Sequence, residues 1–468
     1  MKGSAHLDKK KLLCIYGFML FIILGFAMTL NILSDMSDEM GELKVRAEKQ
    51  RNTSIYSNDY LDEELARYMK VAGVPSIAAA IIQNYSLVWA KGYGEQPDVD
   101  TAYMISSITK TFTSTAILQL YEQALLGLDD DVNLYLPFEL RNPHYPDTPI
   151  TIRMLLAHTS SLNGTQDPFW YVWGQEYFRM KNIINETYPS YPVWLTEHIL
   201  ANGSLYSPYL WGDWAPGEKV VYSNPGFVIL GYVVELLSNK ALGQYFSDYI
   251  CSPLGMERTS FTYRNFNQST VAIPYEKEEE EIVSMPYFDD EPVGCGSLYS
   301  SVLDLSRYLL AHMNGGEYNG TRILKSESVA LMHEPEDKNA TPYGLGWVCL
   351  DFPQAPFDVH GHGGVGAGYK ADMWVMQPKD GSPPQGVILF RNRLVLNDPH
   401  DSEWQYYSKL LDLLFEVART GILTMPSSTT NTLPAPGFTI VSFIGTVAIV
   451  ILLRNKQKKG QNTKVKNR

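Results

Sequence analysis

Between Leu12 and Leu30 the chain runs for 19 residues without a charge, and the apolar character continues to Leu33. At about 1.5 Å of helix rise per residue, such a run nearly spans a bilayer core of roughly 30 Å. A secretory signal has a shorter apolar stretch, about 7–15 residues, and a small-residue cleavage site. No good cleavage site is visible, so residues 12–33 read as an uncleaved anchor. Near the other end, Phe438 to Leu453 supplies 16 apolar or small residues, 19 if counted from Ala435. This segment reads as a second span; a tail helix buried in the domain or lying on the membrane is the competing reading. A glycolipid-anchor signal would end in its apolar tail, whereas here seven basic residues follow, Arg454 to Arg468. Whatever folds between the two runs must start and finish at a membrane.

Charge sets the orientation. Lys2, Lys9, Lys10 and Lys11 precede the first span, and Asp35, Asp38, Glu39 and Glu42 follow it. Basic flanks stay cytosolic, so residues 1–11 and 454–468 are expected in the cytosol and the middle in a lumen or outside the cell. Without those two tails, 27 basic residues face 50 acidic ones, a net −23 against −13 for the whole chain. So acidic a middle excludes nucleic acid as a natural partner. It also holds all eight Asn-x-Ser/Thr triplets, at Asn52, Asn84, Asn163, Asn185, Asn202, Asn267, Asn319 and Asn339. That is roughly twice the number chance supplies, and the triplets mark acceptors for glycans in a secretory compartment. Cys251, Cys295 and Cys349 leave one disulfide plus a thiol, or three free thiols, equally open.

Residues 34–59 are polar and read as a stalk. Tyr60 to Val71 has helical spacing, with Leu61, Leu65, Tyr68 and Met69 on one face. Ile77–Ile82 and Leu87–Tyr93 read as strands around an Asn84-Tyr85-Ser86 turn. Thr111–Leu125 reads as a helix with Gly127 suited to its end, and Phe227–Leu237 as a buried helix. Glu276–Glu281 reads as a solvated loop. Strands are expected at Gly344–Cys349, Ala371–Met376 and Gly386–Phe390, a last helix at Ser402–Ala418, and a Thr/Ser/Pro-rich linker over 419–437.

Three short pieces carry chemistry. In Ser107-Ile108-Thr109-Lys110, a helix starting at the serine puts the lysine one turn on, on the same face. A lysine in a desolvated pocket loses proton affinity and can deprotonate a hydroxyl that is otherwise a poor nucleophile. Tyr222-Ser223-Asn224 offers a phenol that passes protons and an amide that binds an ammonium or a carbonyl. In His362-Gly363-Gly364 the glycines let a strand edge approach substrate, and the N–H of Val365 just beyond can join that of Ser107 as an oxyanion hole. Taken singly, each piece has a bland explanation: a chance Ser-x-x-Lys, a turn entering a helix, a glycine-rich hairpin. His360 and His362 share a strand face and invite a metal, but only Asp358 is near as a further ligand, so no metal and no cofactor is expected. His158 reads as a structural hydrogen-bonding residue.

In this order, these pieces resemble the serine beta-lactamase-related family, in the branch of class C beta-lactamases, D-alanyl-D-alanine carboxypeptidases and related esterases. Leu155–Leu162 looks like the family's Leu-Leu-x-His-Thr-Ser-Gly-Leu, with Ser161 for the glycine. Leu128–Pro137, Pro253–Met256, Tyr343–Trp347 and Gly296–Ser301 with Asp304-Leu305 resemble further signatures, so the likeness covers about residues 60–418. It implies an α/β (α+β) beta-lactamase/transpeptidase-like fold: an antiparallel sheet flanked by helices, plus a mostly helical lobe from about 130 to 290, with the membrane spans at both ends. It implies Ser107 as acyl-enzyme nucleophile, Lys110 as its partner, and Tyr222 and Asn224 in the Tyr-x-Asn roles. His362 stands where many members carry the lysine of Lys-Thr-Gly, which favours a small-molecule or peptide acyl substrate other than a lactam. The spans, triplets and basic tail look animal rather than bacterial, a beta-lactamase-like membrane protein. A catalytically silent binding or scaffold protein on the same fold is the alternative.

Overall fold

The computed structural model describes residues 58–163, 191–204, 206–278, 281–289, 294–336, 342–351, 355–394 and 402–420. Both apolar runs, the stalk up to residue 57, residues 421–437 of the linker, the basic tail, and Asn52, Asn185 and Asn339 lie outside the described residues. Among the described residues no single helix is long and apolar enough to cross a membrane.

The chain enters through α1 (Asn58–Ala72), whose Leu61, Leu65, Tyr68 and Ala72 are buried at helical spacing. It then makes the hairpin β1 (Ser76–Gln83) and β2 (Ser86–Gly94). Gln83 pairs with Ser86, and Asn84 and Tyr85 between them both take positive φ, 47° and 58°. That is the geometry whose twist matches the flanking strands of a two-residue hairpin. After a 3-10 turn at Ser106–Ile108 comes α2 (Thr109–Glu122). The left-handed residue beyond it is Ala124 (φ 56°), not Gly127, so the helix stops three residues short of Leu125.

The helical lobe contains α3 (Ile152–Leu156), α4 (Tyr191–Ile199), α5 (Asn224–Ser238) and α6 (Leu242–Phe246). The acidic run, expected as a loop, instead forms an exposed hairpin, Tyr275–Glu278 with Glu281–Ser284. α7 (Val302–Met313) and α8 (Ser326–His333) lead back to the sheet. There β3 (Val348–Leu350), β4 (Phe357–Gly366), β5 (Tyr369–Pro378) and β6 (Gln385–Arg391) follow, and α9 (Ser402–Thr420) closes the domain. The expected strand at 344–349 starts only at Val348, because Gly346 turns with φ 76° and a Cβ there would lie 1.9 Å from Ser114 Oγ.

The six strands form one antiparallel sheet in the order β2-β1-β6-β5-β4-β3. Residues distant in sequence meet in it: Ile77 pairs with Arg391 and Gln83 with Gln385. One face, with Ile77, Ala79, Ile81, Val387 and Leu389, packs under α1 and α9. The other, with Ala78, Ala80, Ile82, Met373 and Ile388, packs against α2 and α7. Burial on both faces explains why β1 reads Ser-Ile-Ala-Ala-Ala-Ile-Ile rather than alternating. Small alanines there let helices approach closely on both sides.

Candidate active site

α2 is enclosed on nearly every side, from Thr109 through Leu118. Its hydroxyl residues survive burial by bonding to backbone: Thr109 Oγ1 donates to Ser106 O at 2.6 Å, Thr111 to Ile108 O at 2.8 Å, and Thr113 to Gly294 O at 2.6 Å. Ser107 sits in the 3-10 turn before this helix, half-buried, rather than on the α-helix itself. Ser106, one residue earlier, is forced into positive φ (47°), a strained conformation at the helix entry.

Lys110 has no exposed surface. Its Nζ donates to Ser107 Oγ at 3.1 Å and to the carbonyl of Cys295 at 2.7 Å. It also stands over the rings of Tyr222 (4.9 Å) and Phe227 (5.8 Å). The Cys295 carbonyl has no counterpart in the sequence pattern, because a backbone acceptor leaves no residue-type signal; only the adjoining Gly296–Ser301 stretch carries a family signature. That stretch runs along α2, with Leu298 N–H donating to Thr109 Oγ1 at 3.3 Å.

Tyr222-Ser223-Asn224 forms the entry to α5. Ser223 caps the helix, its Oγ accepting from Gly226 N–H at 3.3 Å, with Pro225 in the first turn. This holds Tyr222 outside the helix and Asn224 as its first residue. The Tyr222 ring lies 4.6 Å from His158, 6.2 Å from Tyr343 and 6.3 Å from His362. Asn224 Oδ1 is buried without a partner.

The third piece lies on β4. Strand β3 pairs only with Val359, His360 and Gly361. Among the described residues, no strand pairs with the outer edge of His362–Gly366, which is left open. Gly364 explains the meeting of strand and serine: a Cβ there would lie 2.0 Å from Ile105 O and 3.3 Å from Ser106 Cβ. Only a glycine lets the strand come against the turn that carries Ser107. Gly363 faces the other way, toward Lys370 and Asp372, which form a buried ion pair at 3.0 Å. Val365 follows with its side chain 38% exposed.

His362 is buried. Its Nδ1 bonds Gly363 O at 2.7 Å, which makes Nδ1 the protonated nitrogen and leaves the Nε2 lone pair buried without a partner. Burial, reinforced by the charges of Lys110 and Lys370, holds this imidazole down at about 3, so it is neutral at physiological pH. His360 is engaged elsewhere, its ring 5.5 Å from His333, while Asp358 pairs with Lys379 at 3.0 Å. Among the described residues, no group of three or more His, Cys, Asp or Glu side chains is arranged to hold a metal ion. Cys251, Cys295 and Cys349 are three buried free thiols, which decides the alternative left open by their count.

An antiparallel sheet with a helical lobe, and a buried lysine against a serine at a helix entry, define a beta-lactamase-like fold and site. The chain belongs to the beta-lactamase family, whose model matches residues 61–411. It is 27% identical over 301 residues to Protein flp of Staphylococcus aureus strain MW2, covering 62% of this chain and 56% of that relative. The chain thus spans little more than half the length of that relative. It is 26% identical over 367 residues to the putative penicillin-binding protein PbpX of Bacillus subtilis strain 168, covering 76% and 80%. Among solved structures it is similar to the octameric penicillin-binding protein homologue from Pyrococcus abyssi, with a TM-score of 0.59, 26% identity, and coverage of 75% and 76%.

Proposed function

We propose that this protein is a membrane-anchored serine hydrolase that cleaves an ester or amide through an acyl-enzyme on Ser107. The 3.1 Å bond between Lys110 Nζ and Ser107 Oγ, inside a buried site, carries this reading. In the neutral form Lys110 takes the hydroxyl proton as Oγ attacks the substrate carbonyl. Tyr222 relays a proton to the leaving group as the carbonyl–heteroatom bond breaks. Water then attacks the ester on Ser107 by the reverse proton path, releasing the acid and the free serine. The developing oxyanion is received by the N–H groups of Ser107 and Val365, which the close approach at Gly364 supports. Asn224 orients the acyl part of the substrate.

His362 narrows the substrate. A neutral imidazole offers no positive charge to a carboxylate, and its buried Nε2 favours a substrate group that donates an N–H or O–H. This argues for an uncharged ester, amide or peptide substrate over a lactam acid. The domain proposed is 60–418, held between spans at 12–33 and 438–453 with both termini cytosolic and the site facing outward or into a lumen. Asn84, Asn202, Asn267 and Asn319 are exposed, as glycan acceptors must be.

The test uses the full chain in membranes from animal cells. A fluorophosphonate probe is expected to label wild type and not S107A, and K110A is expected to slow labelling by roughly 10²- to 10⁴-fold. Equal labelling of wild type and S107A at matched expression would remove Ser107 from the role. In the same membranes the protein should resist alkaline extraction and shift in mass on removal of N-glycans; release by alkali, or no mass shift, would sink the topology.

A further inference from the structure

His158, a structural residue by its sequence context, packs against Tyr222 beside Lys110. It follows α3 in a left-handed conformation, φ 60°, and is buried. Two bonds tie it to the loop that carries Tyr222. Its carbonyl accepts from Val221 N–H at 2.8 Å, and its Nδ1 accepts from Ser223 N–H at 3.0 Å. Tyr222 is thereby clamped on both sides by one residue. The ring packs against Tyr222 (4.6 Å), Tyr343 (4.8 Å) and Phe227 (5.1 Å).

The other nitrogen, Nε2, is buried with no partner. An apolar side chain would fill this space without stranding a polar atom. The polarity of the ring therefore serves the single bond to Ser223. That bond is made by the α5 cap residue itself, between Tyr222 and Asn224, so it sets both. Burial first, and then the charge of Lys110, hold this imidazole well below its ordinary 6.5, which keeps the Nδ1 lone pair in place at neutral pH.

We infer that His158 is a positioning residue for acyl transfer: by accepting at Nδ1 from the Ser223 N–H, it sets where the Tyr222 ring stands against Lys110. The inference rests on the acyl-transfer reading of the same site.

Asparagine and glutamine separate the two nitrogens. The Oδ1 of H158N falls near the place of Nδ1, and asparagine tolerates the left-handed backbone. The Oε1 of H158Q falls near the place of Nε2. The rate of fluorophosphonate labelling of the full chain is measured for wild type, H158N, H158Q, Y222F and H158Q/Y222F, with thermal unfolding to confirm that each is folded. H158N should label within about threefold of wild type, and H158Q roughly 10- to 100-fold more slowly, the scale of a misplaced catalytic group. In the Y222F background H158Q should add little. Equal loss in H158N and H158Q, or an undiminished H158Q effect in Y222F, would overturn the inference. Labelling that survives S107A would defeat the acyl-transfer reading instead. In that case crystal structures of H158N and H158Q decide the positioning claim, and a Tyr222 ring unmoved in H158Q refutes it.

Discussion

His362 shows how much one side chain decides when its neighbours are settled. Its Nδ1 is committed to Gly363 O, its Nε2 is a buried acceptor, and Lys110 and Lys370 oppose any charge on it. A lysine at the same place would present a cation to the open edge of β4. H362K should therefore raise kcat/KM for a carboxylate-bearing ester relative to its methyl ester by roughly tenfold, the worth of one partly screened ion pair of about 1.4 kcal/mol. An unchanged ratio would mean that this position does not face the substrate. The residue types at Ser107, Lys110, Tyr222, Asn224 and His362 are legible in the sequence because the proposed chemistry calls for those side chains. The partners that tune them were not. The Cys295 carbonyl is a backbone atom, and the role of His158 depends on which of its two nitrogens meets Ser223.

Among the elements, β4 and the Ser107 turn are coupled by a contact that admits no side chain. A Cβ at Gly364 would fall 2.0 Å from a backbone carbonyl that cannot swing away. G364A should therefore lower unfolding free energy by about 1–3 kcal/mol, the usual cost of overpacking, and slow probe labelling more than tenfold. A variant with wild-type melting and labelling would show that strand and turn are less tightly apposed. The helices and the strands with clear periodicity, α1, β1, β2, α5, β5, β6 and α9, were read close to their observed limits. The failures have two causes. Trp347 and its neighbours look strand-like but are bent by Gly346 against Ser114, and the acidic run pairs with itself as a hairpin although its composition signals solvent. At Gly346 a contact from a distant helix overrode the local pattern, whereas in the acidic run backbone pairing within ten residues overrode what composition signalled.

For the whole molecule, the buried imidazoles couple stability to pH. His312 and His362 are held down at about 3, and His158, His333 and His360 also lie below 6.5, burial being the first cause in each. His312, His333 and His360 form a stack, with ring spacings of 5.5 Å and 5.5 Å, beside Trp347. The unfolded chain binds protons on these groups below 6.5 while the folded chain does not. The stability they contribute is thus complete above 6.5 and is lost as pH falls toward about 3, at about 1.4 kcal/mol per pH unit for each imidazole. Asp304, lifted by burial to about 6, works the other way between about 6 and 3.8 and offsets roughly one imidazole. Urea midpoints of the full chain should therefore fall steeply from pH 6.5 to 5, and less steeply in an H312N/H333N variant. A flat profile would mean that the imidazoles are not held neutral.

From the sequence alone followed the family, the five side chains proposed for the chemistry and the charge asymmetry about two apolar runs, because each is carried by residue type and spacing along the chain. Only the tertiary structure decided what joins them. Lys110 finds a carbonyl 185 residues away, β1 pairs with β6 across the whole domain, and a glycine brings a sheet edge against the serine. Such contacts are backbone to backbone or backbone to side chain, so the one-dimensional pattern holds no trace of them until the chain has closed its sheet.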